Sequence, residues 1–265
     1  MMRMLNQLRL RKEIVWAAIL FAIPIGIAAY LYMPSYARFS ALGEIVPVRE
    51  VGVEGSVYFT YVREGYARNR FEMWSLRHAL KGDIRFEPAE PEVADEYEAL
   101  TEAGENERDE TIRHALESVE QSATAMSSPN EEDDDELERK VRRISEQASR
   151  YYGDSLGLML AIGLAEETEG IDFSNGGETV IAGTGTLNAD RTVGSVGSIR
   201  DKLLTAEKGG AELFFVPKDK DRFGYGVLSN QEEAEQVVKE ERLRLKVVPV
   251  GTLDEALEYL RKLSR

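Results

Sequence analysis

The stretch from Ile14 to Met33, IVWAAILFAIPIGIAAYLYM, runs for 20 residues without a charge. At about 1.5 Å per residue, a helix of that length spans roughly 30 Å, one hydrocarbon core of a bilayer. An apolar helix this long must be covered by lipid or by a large protein core, and no other part of the chain looks able to cover it. Trp16, Tyr30 and Tyr32 lie near its ends, where amphipathic rings favour the membrane–water interface. Arg3, Arg9, Arg11 and Lys12 precede it, with no acid before Glu13. The positive-inside tendency then keeps residues 1–13 in the cytoplasm and exports everything after the span. The expectation is a single-pass anchor over 14–33 in the cell membrane, with the rest of the protein extracytoplasmic. A cleaved signal peptide is the competing reading, with Ser35-Tyr36-Ala37 as a weak cleavage signal, but its apolar run would normally be about 7–15 residues.

Composition removes several chemistries. The chain of 265 residues has no cysteine, which excludes a thiol nucleophile, a disulfide framework and cysteine-ligated zinc. Its only histidines are His78 and His114, both in polar surroundings, so a Ser-His-Asp triad or a dedicated metal site is not expected. No metal and no cofactor are expected. The net charge of −15 is concentrated: residues 90–137 hold 18 acids and 2 bases. That balance argues against a nucleic-acid partner, which needs a basic face. No spacing of ligands with a central glycine marks the acid run as an EF-hand loop.

Past the span the patterns alternate between strand and helix. From Glu44, EIVPVREVGVEGSVYFTYVREG reads as two strands around Glu54-Gly55, and FEMWSLRHAL as a short helix. In ETIRHALESVEQSATAM, the residues Ile112, Ala115, Leu116, Val119, Ala123 and Met126 recur at helical spacing. Ser127 to Glu136, with Pro129 and a block of acids, reads as a solvated linker. A strand is expected around Val141 to Ile144, then a helix from about Leu156 to Glu169. A strand at GGETVIAGTGTL, a turn and return strand at NADRTVGSVGS, and a helix at IRDKLLTAEKGG ending at Gly209 follow. AELFFVPKD reads as a buried strand and NQEEAEQVVKEE as a helix capped by Asn230. LKVVPV reads as a strand, and TLDEALEYLRKL as a helix capped by Thr252. The fold class is therefore α/β (α+β), preceded by one transmembrane helix.

Two side chains could do chemistry. Ser155 lies between Gly153 and Gly157 at the head of a helix that is apolar nearly all round. The free N–H groups and partial positive charge there suit an oxyanion, and the glycines admit a substrate backbone. From this stretch alone the plainer reading comes first: Asp154 or Ser155 as an N-cap. A nucleophilic serine needs a base, and with histidine scarce a lysine is the natural candidate, provided desolvation leaves it neutral. Lys202 opens a helix with Leu203 and Leu204 behind a glycine-marked return; a solvated helical lysine is the alternative.

These stretches together resemble the Lon-type serine–lysine proteases. That family's Gly-Pro-Ser-Ala-Gly motif ahead of an apolar helix matches Gly153-Asp154-Ser155-Leu156-Gly157. Its Thr-Gly strand and later Lys-bearing helix match Thr184-Gly185 and Gly197 to Leu204, without a gap from Thr184 to Lys202. Its Ile-Pro after the next strand matches Val216-Pro217, and the likeness runs from about Val141 to the end. The layout is most similar to the small membrane-anchored Lon-domain proteases of bacteria. Their PDZ module is not seen here: about 25 residues, Ser127 to Tyr151, stand where a module of about 90 is expected.

The resemblance implies ATP-independent hydrolysis of peptide bonds in a protein or peptide substrate. Ser155 would be the nucleophile, Lys202 the general base, and Thr184 the residue that orients Lys202. Backbone N–H groups around Asp154 and Ser155 would form the oxyanion hole. No Gly-rich phosphate loop followed by Lys-Ser or Lys-Thr is present in the sequence. The resemblance also implies a homo-oligomer, commonly a hexameric ring. Together with the apolar span, it divides the chain into a cytoplasmic tail (1–13), an anchor (14–33) and a strand region joining the catalytic sheet (34–89). An acidic helical arm and linker (90–137) and a Lon-like proteolytic domain (138–265) complete it. Asp154 and Leu156 replace the family's proline and alanine, and Ser195 and Ser198 stand where proline and glycine are usual. A catalytically inactive Lon-like domain that binds a peptide or protein is the alternative.

Overall fold

The computed structural model describes residues 2–80, 84–123, 131–218 and 228–263. It begins with α1 (Met2–Tyr32), β1 (Pro34–Pro47), a 3-10 turn (Val48–Val51), β2 (Tyr58–Asn69), α2 (Arg70–Ala79) and β3 (Ile84–Pro88). Then come α3 (Val93–Ala123), α4 (Glu131–Ala148), α5 (Gly157–Glu169), β4 (Ile181–Gly183), β5 (Thr186–Leu187) and β6 (Val193–Gly194). The chain ends with α6 (Ile199–Lys208), β7 (Leu213–Pro217), α7 (Asn230–Glu241), β8 (Lys246–Val250) and α8 (Leu253–Leu263). Two compact units divide it: Met1–Ser40 with Glu64–Glu96, and Ala41–Arg63 with Tyr97–Arg265.

In the first unit, Lys12–Tyr32 of α1 is unburied, has a mean hydropathy of 2.3, and is long and apolar enough to cross a membrane. Asn69 caps α2 by accepting the Glu72 N–H at 2.9 Å, and the Glu72 carboxylate accepts the Arg68 N–H at 2.7 Å.

Six strands form one mixed sheet in the order β3-β1-β2-β4-β7-β8, with β2, β4, β7 and β8 parallel along their shared ladders. Parallel neighbours need crossover helices, and α6 and α7 supply them on the way from β4 to β7 and from β7 to β8. Successive side chains of a strand face opposite ways, so a strand covered on both faces reads as an unbroken apolar run, as all five residues of β7 do. Phe214 packs with Ile199, Leu203, Ala206, Ala234 and Val237 of α6 and α7. Phe215 packs into the larger cluster with α5 and α8 and with Ile112 and Ile144 of α3 and α4. The ten residues from Gly157 to Glu166 of α5 are all buried. At its end the Glu166 carboxylate accepts from the Ser56 N–H at 2.7 Å and the Phe173 N–H at 2.8 Å, tying two loops to the helix.

Four local expectations are corrected. Val141 to Ile144 is not a strand: Val141, Ile144 and Ala148 are one buried stripe of α4 at helical spacing. The acid run is not a linker where it is described, since Glu131 onward forms the first turns of α4, the helix end that favours negative charge; Ser127 to Asn130, like Met126, lies outside the described residues. Helix α7 is capped by Ser229, not Asn230: Ser229 Oγ accepts the Glu232 N–H at 3.1 Å and its own N–H meets the Glu232 carboxylate at 2.9 Å. The expected strand pair stops at Pro47 and resumes at Tyr58, because Val48, Val51, Val53 and Val57 turn into the core as a loop.

Candidate active site

Ser155 lies in the turn ahead of α5. Gly153 holds that turn with a left-handed φ of +89°, and the Gly157 N–H closes it on the Asp154 carbonyl at 3.2 Å. The N-cap of α5 is Leu156, without a side-chain bond, so neither Asp154 nor Ser155 serves as the cap. Ser155 is half-buried, and its hydroxyl bonds to none of the described residues. Its carbonyl accepts from the Gly185 N–H at 3.0 Å and from the Thr184 hydroxyl at 3.3 Å. The Leu158 N–H returns to the Gly185 carbonyl at 3.0 Å. This two-way pairing fastens the serine turn to the residues just after β4.

Thr184 is fully buried, with its N–H on the Phe215 carbonyl of β7 at 3.0 Å. Lys202 is 5% exposed, which removes the solvated-lysine reading. Its Nζ donates to Thr184 Oγ1 at 3.1 Å. Helix α6 delivers it there because Ile199, Leu203 and Ala206 are buried in the core. The Asn230 amide clamps the approach to α6, accepting the Val196 N–H at 2.8 Å and donating to the Val196 carbonyl at 2.9 Å. Ser198 begins the helix with φ +58°, a left-handed conformation that favours glycine and costs serine about 1 kcal/mol. The glycine usual at this point in the resembling family has that physical reason.

Thus Ser155, Thr184 and Lys202, spread over 48 positions of the chain, form one contiguous group. A direct bond between the Ser155 hydroxyl and the Lys202 amine is not made; Thr184 links Lys202 to the Ser155 carbonyl instead. Beside the group, burial pushes the Asp154 carboxyl above the usual carboxylate range, with Glu107 adding repulsion. Its own main-chain N–H and Lys202 pull it back down. Among the described residues, no group of three or more His, Asp or Glu is placed to hold a metal ion.

Helix α3 supplies support that the sequence did not reveal. Thr111 Oγ1 accepts the Leu187 N–H at 2.8 Å and donates to the Leu187 carbonyl at 3.3 Å. His114 Nδ1 lies 3.0 Å from the same carbonyl, which can only accept, so that nitrogen carries the proton. Arg108 is buried with Nη1 3.5 Å from the Tyr151 carbonyl. A Cβ on Gly157 would lie 2.1 Å from Thr111 Oγ1, so only glycine fits there. One helix face therefore steadies both the serine turn and the strand after Thr184. Polar residues in an acid-rich helix normally face water, and no sequence signal separates these from the rest. The Val196 clamp of Asn230 was equally hidden, because an asparagine at a helix start reads as a cap.

No protein-family model matches the chain. Over 116 residues it is 25% identical to the Lon protease of Neorickettsia sennetsu (strain ATCC VR-367 / Miyayama). This chain is similar to a Lon protease. The match covers 44% of this chain and 12% of that protein. At this level the similarity supports a Lon-related origin for part of the chain and hints at a peptidase.

Proposed function

We propose that the protein is a membrane-anchored serine endopeptidase that cleaves peptide bonds with a Ser155–Lys202 dyad and needs no nucleotide. The observation that carries the reading is the buried Lys202 amine, hydrogen-bonded to Thr184 and through it linked to the backbone of Ser155. An ammonium held away from water loses the solvation that favours its charge, and burial thereby favours the neutral amine a general base requires. Ser155 Oγ attacks the scissile carbonyl as Lys202 takes its proton; Lys202 then passes that proton to the leaving amine. Water hydrolyses the acyl-enzyme by the same route in reverse. The Thr184 hydroxyl holds the amine, and main-chain N–H groups at Asp154 and Ser155 would serve the developing oxyanion, the Asp154 N–H only after it leaves its own carboxylate. Near attack, Ser155 must turn its hydroxyl towards Nζ, a rearrangement that apo sites commonly need. The apolar span of α1 supports anchoring, and the positive residues before it support an extracytoplasmic catalytic domain.

Incubation of the full chain in detergent with an unstructured protein such as casein tests this. Wild type is expected to cleave, and Ser155→Ala and Lys202→Ala to lose cleavage while keeping the fold. Equal cleavage by all three would end the dyad mechanism. The missing Ser155–Lys202 hydrogen bond favours a second reading, a silent Lon-like domain that binds a peptide or protein. Saturable casein binding by a wild type that yields no new N-termini would select it.

A further inference from the structure

The first unit carries a chain of aromatic rings that starts at the end of the apolar span. Tyr32, the last residue of α1, stacks on Phe71 of α2 with centroids 5.3 Å apart. Phe71 stacks on Trp74 at 6.0 Å, and Trp74 meets the His78 ring at 4.2 Å. The Arg70 guanidinium lies 4.6 Å from the centre of the Tyr30 ring, also on α1. Helix α2 has no buried residue, and Trp74 is 53% exposed. Residues 68–79 hold three arginines, Arg68, Arg70 and Arg77, against one acid, Glu72. A helix with no fully buried residue, which begins beside the tyrosines ending an apolar span and carries surplus cations, matches the headgroup zone of a bilayer. Amphipathic rings collect there, and cations meet anionic phosphates.

We infer that α2 is an interfacial foot: it lies in the headgroup layer of the membrane that α1 spans, with Trp74 inserted among the lipids and Arg70 and Arg77 drawn to anionic headgroups. The inference rests on the anchor reading of α1 and is independent of the protease reading. The chain has two tryptophans, Trp16 in the span and Trp74 in the foot, so each can report alone. The full chain is reconstituted in phosphatidylcholine vesicles with and without phosphatidylglycerol, as Trp16→Phe and as Trp74→Phe. Emission is then read with lipids brominated at shallow or mid-chain positions, and with acrylamide in the water. Trp16 should be quenched by lipid bromines. Trp74 should be quenched by shallow bromines, emit to the blue, and be shielded from acrylamide, more so with phosphatidylglycerol. Quenching of Trp16 with a Trp74 open to acrylamide would remove the foot and leave the anchor. Loss of lipid quenching at both would remove the anchor and the foot together. Equal shielding of Trp74 in both lipid mixtures, unchanged in the Arg70→Gln/Arg77→Gln variant, would refute the anionic-headgroup contact.

Discussion

Replacing Thr184 with valine deletes one hydroxyl at a fully buried position, where water cannot take its place. The hydroxyl makes two bonds, one from Lys202 Nζ at 3.1 Å and one to the Ser155 carbonyl at 3.3 Å. That carbonyl keeps the Gly185 N–H at 3.0 Å, so the loss falls mainly on the amine. A buried polar group that loses one of its hydrogen bonds costs up to about 1–3 kcal/mol. If most of that is felt at the transition state, kcat falls about 10- to 100-fold, since about 1.4 kcal/mol is a factor of ten. Thr184 reaches the reaction through Lys202, so KM should change little. Stability should fall by a similar 1–3 kcal/mol, read as about a few degrees in Tm. Thr184→Ser keeps the oxygen and should retain activity within a few-fold. Steady-state kinetics on a quenched fluorescent peptide, with thermal unfolding in parallel, measures all of this. A folded Thr184→Val enzyme with wild-type kcat would refute the positioning of Lys202. Equal loss in the valine and serine variants would assign the effect to packing instead of the hydrogen bond.

Asp154→Asn should stabilise the protein at neutral pH, and the gain should vanish on acidification. Burial raises the folded-state carboxyl above its unfolded value, so the folded protein holds that proton more tightly. Stability of the wild type therefore falls as pH rises from about 4 through the raised folded value, and chemical denaturation at several pH values checks the sign. An ionised Asp154 also favours the ammonium form of Lys202, so the asparagine variant should move the acid limb of the rate profile to lower pH; no movement would uncouple the two groups. Gly157→Ala should unfold or strongly destabilise the protein, because its methyl would stand 2.1 Å from Thr111 Oγ1 and 2.9 Å from the Leu187 nitrogen, two buried atoms hydrogen-bonded to each other. A Tm within a degree of wild type would show that α3 does not press on the serine turn.

What the linear chain determines here is whatever depends on neighbours a few residues apart. The apolar length of 14–33, the unbroken run of β7, the helical spacing of Ile112, Ala115 and Leu116, and the Thr252 cap were all legible, because period and cap chemistry are local. The stretch Val141-Arg142-Arg143-Ile144 was not: four residues with apolar ends suit either period, and only the core contact of Val141, Ile144 and Ala148 selects the helix. The serine turn and the lysine helix could be picked out by residue type, but their meeting at Thr184 was expected only from the family resemblance and not from the residues themselves. It depends on the parallel pairing of β4 with β7 and on α6 packing against Phe214, contacts between distant parts of the chain. The same holds for Thr111, Arg108 and Asn230, whose polar groups leave water only because the tertiary fold provides each with a backbone partner. Burial is a property of the assembled fold, and it is burial that makes Lys202 different from every other lysine described.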